Sequence, residues 1–121
     1  MDDHRGFQRA DQVGQQIHRI VGRLFVNEIN DPRLEKVEIV DVDLTPDLRN
    51  AHVFYMMRDG EPPSKDVKGA IKGVARFVQA KLAERLAVKY IPEIQFRFDK
   101  SILEGRKIDA LLRDLDNDGQ D

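Results

Sequence analysis

The segment Ser64 to Tyr90, SKDVKGAIKGVARFVQAKLAERLAVKY, constrains the chain most, because two periodicities within it conflict. Val67, Ala70, Ile71 and Val74 recur at helical spacing and define an apolar stripe. Lys65, Lys68, Lys72 and Arg76 follow intervals of three, four and four and run down the opposite side. On one rigid helix the same phase brings Lys81 and Arg85 round beside Val74 and Val78, where unpaired cations are costly to bury. The phase should therefore shift near Gly73, the residue least favourable to helix in the middle of the run. This predicts two helices joined by a bend with cationic flanks. The competing reading is one bent helix whose lysines are a solvated face.

The charge is unevenly placed. The chain has 121 residues and a net charge of −2, a length that suits one domain with one core. Residues 1–64 carry 12 acidic and 8 basic side chains, residues 65–113 carry 12 basic and 6 acidic, and the last eight hold four aspartates and no base. The positive charge thus collects where the helical run lies, and the local field matters more than the total for attracting a polyanion. There is no cysteine, so disulfides, thiolate metal sites and thiol nucleophiles are excluded. No run reaches the ~20 apolar residues of a membrane span, and MDDHRGFQRADQ lacks the apolar core of a signal peptide. The cytoplasm is the expected location.

Taken in order, Ala10, Val13, Ile17, Ile20, Val21, Leu24 and Phe25 predict an amphipathic helix from about Arg9 to Ile29, ended by Asp31-Pro32. Val37–Leu44 is rich in β-branched residues and reads as a strand whose alternation slips, which a bulge near Val40 or Asp41 would reconcile. Thr45–Asn50 is a turn by composition, and Ala51–Met57 alternates as a second strand, giving an antiparallel hairpin. Ser64 is placed to cap the helical run. Ile91-Pro92 ends it, and a third strand follows with Ile94, Phe96 and Phe98 inward. Ser101 opens a final short helix carrying Ile102, Leu103, Ile108, Leu111 and Leu112. The expected architecture is α+β: a single domain at 9–113 with helices on one face of a three-stranded sheet. A flexible N-terminal arm at 1–8 and an acidic, disordered tail at 114–121 are expected to flank it.

This element order is that of the type II KH domain, an RNA-binding fold that clamps backbone with a Gly-x-x-Gly loop. Here the helical run holds Gly69-Ala-Ile-Lys-Gly73, and no Gly-x-x-Gly occurs anywhere. Three further stretches resemble the ribosome-binding factor A family. They are Asn30-Asp-Pro-Arg-Leu34; Val40-Asp-Val-Asp-Leu44 with Pro46-Asp-Leu-Arg-Asn-Ala-His-Val53; and Ile91–Leu112, which is similar to the family's third strand and terminal helix almost position by position. The resemblance spans roughly Arg9 to Leu112. It implies a KH-like, non-catalytic factor, without cofactor, that binds the small ribosomal subunit and helps late maturation of its 16S rRNA. A monomer is expected, contacting rRNA and neighbouring ribosomal proteins. In that family an Ala-x-Gly kink replaces Gly-x-x-Gly; aligned on Phe77, this chain has Val74-Ala75-Arg76 there, with Gly73 just before it.

Lysine and arginine neutralise phosphates whatever the base sequence. Lys65, Lys68, Lys72 and Arg76 on one face, with Lys81, Arg85 and Lys89 nearby, form the candidate RNA-binding set. Arg33 and Lys36 form a second patch, and Arg5 and Arg9 a basic arm. Phe54, Phe77, Phe96 and Phe98 fit core positions, so recognition of shape and backbone is expected over base stacking. Asp114-Leu-Asp-Asn-Asp-Gly119 opens like an EF-hand loop, but the chain ends before the required twelfth-position Glu. Glu38, Asp41, Asp43 and Asp47 read as a solvated sheet edge in preference to a magnesium site. His4, His18 and His52 are scattered, and no nucleophile constellation is evident, so no enzymatic activity is expected. Two rival functions remain open: a stand-alone KH-like module for single-stranded RNA, and a protein–protein adaptor without RNA affinity.

Overall fold

The computed structural model describes residues 2–118. Helix α1 (Asp2–Arg23) continues through a wider π-helical turn at Leu24–Glu28, where the Ile29 N–H reaches back to the Leu24 carbonyl at 2.8 Å. The helix starts ahead of the periodic segment that opens at Arg9, and it ends where the sequence places its stop. A short 3-10 turn at Pro32–Leu34 is capped by Asp31, whose side chain accepts from the Arg33 N–H. Strands β1 (Val37–Leu44) and β2 (Asn50–Met57) form the expected antiparallel hairpin, and their register shifts between Ile39 and Asp41, at the foreseen bulge. The bulge lets Val37, Ile39 and Leu44 all face inward although their spacing breaks strict alternation.

Helix α2 (Lys65–Arg85) crosses over to strand β3 (Glu93–Phe98), which pairs with β2 in parallel. The sheet order is β1-β2-β3. A parallel neighbour requires such a crossover, because a tight turn can join only antiparallel strands. Helix α3 (Ser101–Asp118) closes the described chain.

The core lies between the two long helices and one face of the sheet. Ile17, Val21 and Leu24 come from α1 and its wide turn, Val78 and Leu82 from α2, and Val53 from the central strand; all are fully buried. On β2 Ala51, Val53, Tyr55 and Met57 face this core, while His52, Phe54 and Met56 lie half-buried on the other face. Gln79 ties helix to sheet: its amide donates to the Pro92 carbonyl at 2.7 Å and its oxygen accepts from the Ile94 N–H at 3.2 Å. The start of β3 is thereby fixed against the middle of α2.

Two expectations are corrected. The run after Ser64 is one uninterrupted helix of 21 residues, not two helices joined at Gly73, Val74, Ala75 and Arg76. The apolar stripe holds its phase through Val67, Ala70, Ile71, Val78 and Leu82. The phase conflict is resolved instead by where the cations end up. Arg85 sits in the last turn, half-exposed and paired with Glu28, and Lys81 lies at the margin with its ammonium on Glu84 and over the Phe77 ring. Neither is an unpaired buried charge, so the cost that demanded a bend does not arise. The second correction concerns α3, which is longer than expected and carries Asp114 within its helical span, continuing to Asp118. Its Ile108, Leu111 and Leu112 are exposed and do not join the core. Arg106 fixes its start by donating to the Gly60 carbonyl at 3.0 Å, in a turn where Gly60 takes a φ of 78°.

Two substitutions test this account. Leu82→Ala opens a cavity at a fully buried site and should cost about 2–5 kcal/mol, read as a lower denaturant midpoint at unchanged slope. Gly73 is exposed inside α2, and a Cβ there would meet nothing within 4 Å. Gly73→Ala should therefore stabilise by about 0.5–1 kcal/mol; destabilisation would show that the position needs a non-helical backbone.

Candidate nucleic-acid interface

Helix α2 presents its basic side because its opposite side is committed to the core. Ser64 caps it, the hydroxyl oxygen accepting from the Val67 N–H at 3.2 Å, and from that start the helical period sends Lys65, Lys68, Lys72 and Arg76 outward. All four are exposed. Successive members are one turn apart, so the row spans about 16 Å of helix with a cation roughly every 5–6 Å. Among the described residues no carboxylate pairs with any of them.

The other candidates are sorted by their partners. Arg85 reaches from α2 to the end of α1 and makes a two-pronged pair with Glu28, at 2.6 and 2.7 Å. That contact lowers the Glu28 pKa and raises that of Arg85, in both cases chiefly through the side-chain hydrogen bond. Lys81 pairs with Glu84 at 3.5 Å. Arg33 is held by Asp31 through Nε at 3.0 Å and Nη2 at 2.6 Å, and hydrogen bonding to the Arg33 side chain holds the Asp31 carboxyl below its usual range. Lys36 lies 3.6 Å from Asp59, whose pKa is lowered first by the Glu61 N–H and then by Lys36. These cations already have anions beside them, so a phosphate would have to compete for them. Arg33 and Lys36 nonetheless share a recess of about 290 Å³ with Ser64 and Val67, which brings the second patch to the N-terminal end of α2.

Lys89 differs from both groups. It is exposed, pairs with no carboxylate among the described residues, and its ammonium lies 5.4 Å from the centre of the Tyr90 ring. Tyr90 is 74% exposed and Phe77 is 38% exposed. The sequence places Phe77 in the core and is silent on Tyr90. The signal it lacked was position: Tyr90 falls in the connection after α2, where neither helical nor strand period says which way a side chain points. Phe54, Phe96 and Phe98 are half-buried; Phe96 packs edge-on against Phe25 with ring centres 5.8 Å apart.

Asp66 stands in the first turn of α2 without pairing to the row, and the acidic residues of β1 and the hairpin turn form a separate group. Glu38, Asp41 and Asp43 alternate along β1 and are exposed, and Asp47 accepts from the Thr45 hydroxyl and the Arg49 N–H in the hairpin turn. No group of three His, Cys, Asp or Glu side chains among the described residues is arranged to hold a metal ion. The EF-hand-like stretch is helical as far as Asp118, and Gly119 lies outside the described residues, as do Asp116–Asp118 at the level of side chains. A cavity of about 730 Å³ between the end of α1 and β1, lined by Phe25, Val26, Ile29 and Val37 among others, contains none of the candidate cations.

The sequence model of the ribosome-binding factor A family matches residues 9–112. The chain belongs to the ribosome-binding factor A family. A member from Desulfatibacillum aliphaticivorans is 37% identical over 107 residues, covering 88% of this chain and 87% of its own. One from Trichlorobacter lovleyi is 35% identical over 115 residues, covering 93% and 94%. The crystal structure of ribosome-binding factor A from Thermus thermophilus superposes with a TM-score of 0.63 at 20% identity, over 74% of this chain and 93% of that one. A coordinate set for the Thermus thermophilus factor, fitted into an electron-microscopy map of its complex with the 30S subunit, gives a TM-score of 0.60 at 22% identity over 72% and 91%. The family fold expected from the sequence is thus present, with a continuous α2 where the family kink was expected.

The Glu28–Arg85 pair yields a pH prediction. A carboxyl whose folded pKa is lowered contributes stability above its unfolded pKa and loses it as pH falls through the folded value. The melting temperature of the protein should exceed that of Glu28→Gln at pH 7, and the gap should close on titration below about pH 4. A gap unchanged down to pH 2 would rule out the pair as its source.

Proposed function

We propose that the chain is a non-catalytic assembly factor that binds the free small ribosomal subunit and assists late maturation of its 16S rRNA in the cytoplasm. The observation that carries this reading is the row Lys65, Lys68, Lys72 and Arg76, free of ion pairs among the described residues, on a single uninterrupted helix of a ribosome-binding factor A fold. Four cations at one-turn spacing match a phosphate backbone by charge and repeat, and demand no particular base. Lys89 extends the same chemistry beyond the helix, while Arg33, Lys36, Lys81 and Arg85 act chiefly inside the protein, holding turns and helix ends. The fitted Thermus thermophilus factor supports the small subunit as the partner.

The mechanism follows from rigidity. A fixed row of charges fits one spatial arrangement of phosphates better than another, so binding favours whichever rRNA arrangement presents that row. A subunit that matures into a different arrangement binds more weakly and releases the factor, which is population shift by differential affinity. No covalent step is needed, and the protein acts as a monomer.

The triple variant Lys68→Glu, Lys72→Glu, Arg76→Glu tests this. All three residues are solvent-facing, so the circular dichroism spectrum should be unchanged. Cosedimentation with free small subunits should be lost, while wild-type protein pellets with free subunits and not with complete ribosomes. Neutralising the same residues to Gln should make the slope of log affinity against log salt shallower by roughly 2–3. Equal binding of wild type and charge-reversed protein would refute the assignment of this face. Binding to short RNA alone, or to a nuclease-resistant protein partner alone, would point to the single-strand module or the adaptor.

A further inference from the structure

The residues 86–92 that connect α2 to β3 are built to hold one aromatic ring in solvent. Leu86 is buried and its N–H donates to the Leu82 carbonyl at 2.8 Å, so the connection leaves the helix from a fixed point. Val88 and Ile91 pack against the core, and Pro92 is fully buried with its carbonyl accepting from Gln79 at 2.7 Å. With Val88 and Ile91 turned inward, Lys89 and Tyr90 between them are turned out. Exposing a large aromatic ring forgoes the gain of burying it, and the connection is anchored on both sides, so a loose loop does not account for it. The Lys89 ammonium covers one face of the ring at 5.4 Å. At 74% exposure the other face has little protein against it.

We propose that Tyr90 is a stacking site for an unpaired RNA base, with Lys89 placed to meet the adjoining phosphate. The inference rests on the reading of this protein as an rRNA-binding factor and adds to it a second kind of contact. The α2 row follows backbone charge and is indifferent to whether bases are paired. A stacking platform is not, because only an unpaired, unstacked nucleotide offers its face. An rRNA strand that is still single would satisfy both contacts, and the same strand once paired would satisfy only the first. Such a site distinguishes unfinished from finished rRNA by chemistry the helix lacks. The fixed backbone on either side means that little ordering is needed on binding.

The chain offers its own reporter, since it has two tyrosines and no tryptophan, and Tyr55 is buried. Titration with an oligoadenylate of about eight nucleotides at low salt should quench the Tyr90 emission. An RNA duplex of equal charge should bind through the α2 row and quench much less. Affinity for free small subunits, measured with end-labelled protein, should fall roughly 5- to 150-fold in Tyr90→Ala and Tyr90→Leu. Tyr90→Phe should stay near wild type. The slope of log affinity against log salt should be the same in all three variants, since no charge is removed.

Unaltered affinity in Tyr90→Ala, or no quenching by the single strand, overturns the proposal while the function of the α2 row stands. Equal affinity of the Leu and Phe variants, both above Ala, overturns it in favour of an apolar contact with a protein. Quenching by the oligonucleotide together with no binding to small subunits would keep the stacking site and remove the ribosomal reading instead.

Discussion

The burial of one stripe of α2 against the sheet is the constraint from which the rest follows. Val78 and Leu82 share one buried cluster with Val53 of the central strand and Ile17 and Val21 of α1, and among the described residues no charged group is buried. Fixing that stripe fixes the rotation of the helix about its axis, and rotation alone decides where Lys65, Lys68, Lys72 and Arg76 point. The basic surface is therefore a by-product of apolar packing. It needs no network of its own to orient it, and the row remains free of carboxylates among the described residues because none of its members is asked to hold the fold together.

Arg85, Arg33 and Lys36 show the opposite arrangement. Arg85 clamps α2 to the end of α1, Arg33 closes the turn after Asp31, and Lys36 approaches Asp59 across the mouth of the hairpin. In each case the guanidinium or ammonium lies where two elements meet and where a carboxylate has been placed beside it. Exposed pairs of this kind add little to stability individually, but they set the directions in which helix ends and turns leave the core. Sequence alone shows both sets as the same two residue types. What divides them is whether the fold sets a carboxylate within reach, from the same turn for Arg33 and from 57 residues away, at Glu28, for Arg85.

That difference also explains what could be read without a structure. Element types and order, the hairpin, the bulge beside Val40 and the inward faces of the strands all follow from local period and turn chemistry, and they are legible in the chain. The continuity of α2 is not. A bend is required only if Lys81 and Arg85 are unpaired and buried, and pairing with Glu84 and Glu28 at the shallow end of the helix removes that condition. Resemblance pulled in the same direction by supplying a family kink at Val74–Arg76, where this chain carries β-branched and charged residues and no glycine. Exposure of Tyr90 was illegible for a different reason, since residues between elements have no period to betray their facing.

The loss of the bend alters what kind of recognition the helix can perform. Two segments meeting at a flexible glycine would let the cations adjust to several arrangements of phosphate, improving affinity for all of them and separating none. An uninterrupted helix anchored along its length holds the row within about 16 Å on one face, so under the proposed role a phosphate path that departs from that face would lose contacts in steps. Each lost contact weakens binding and its salt dependence together, and the protein has no compliance with which to recover them. In the proposed role, with a partner that changes shape as it is completed, such a fixed row is what would turn a charge match into discrimination.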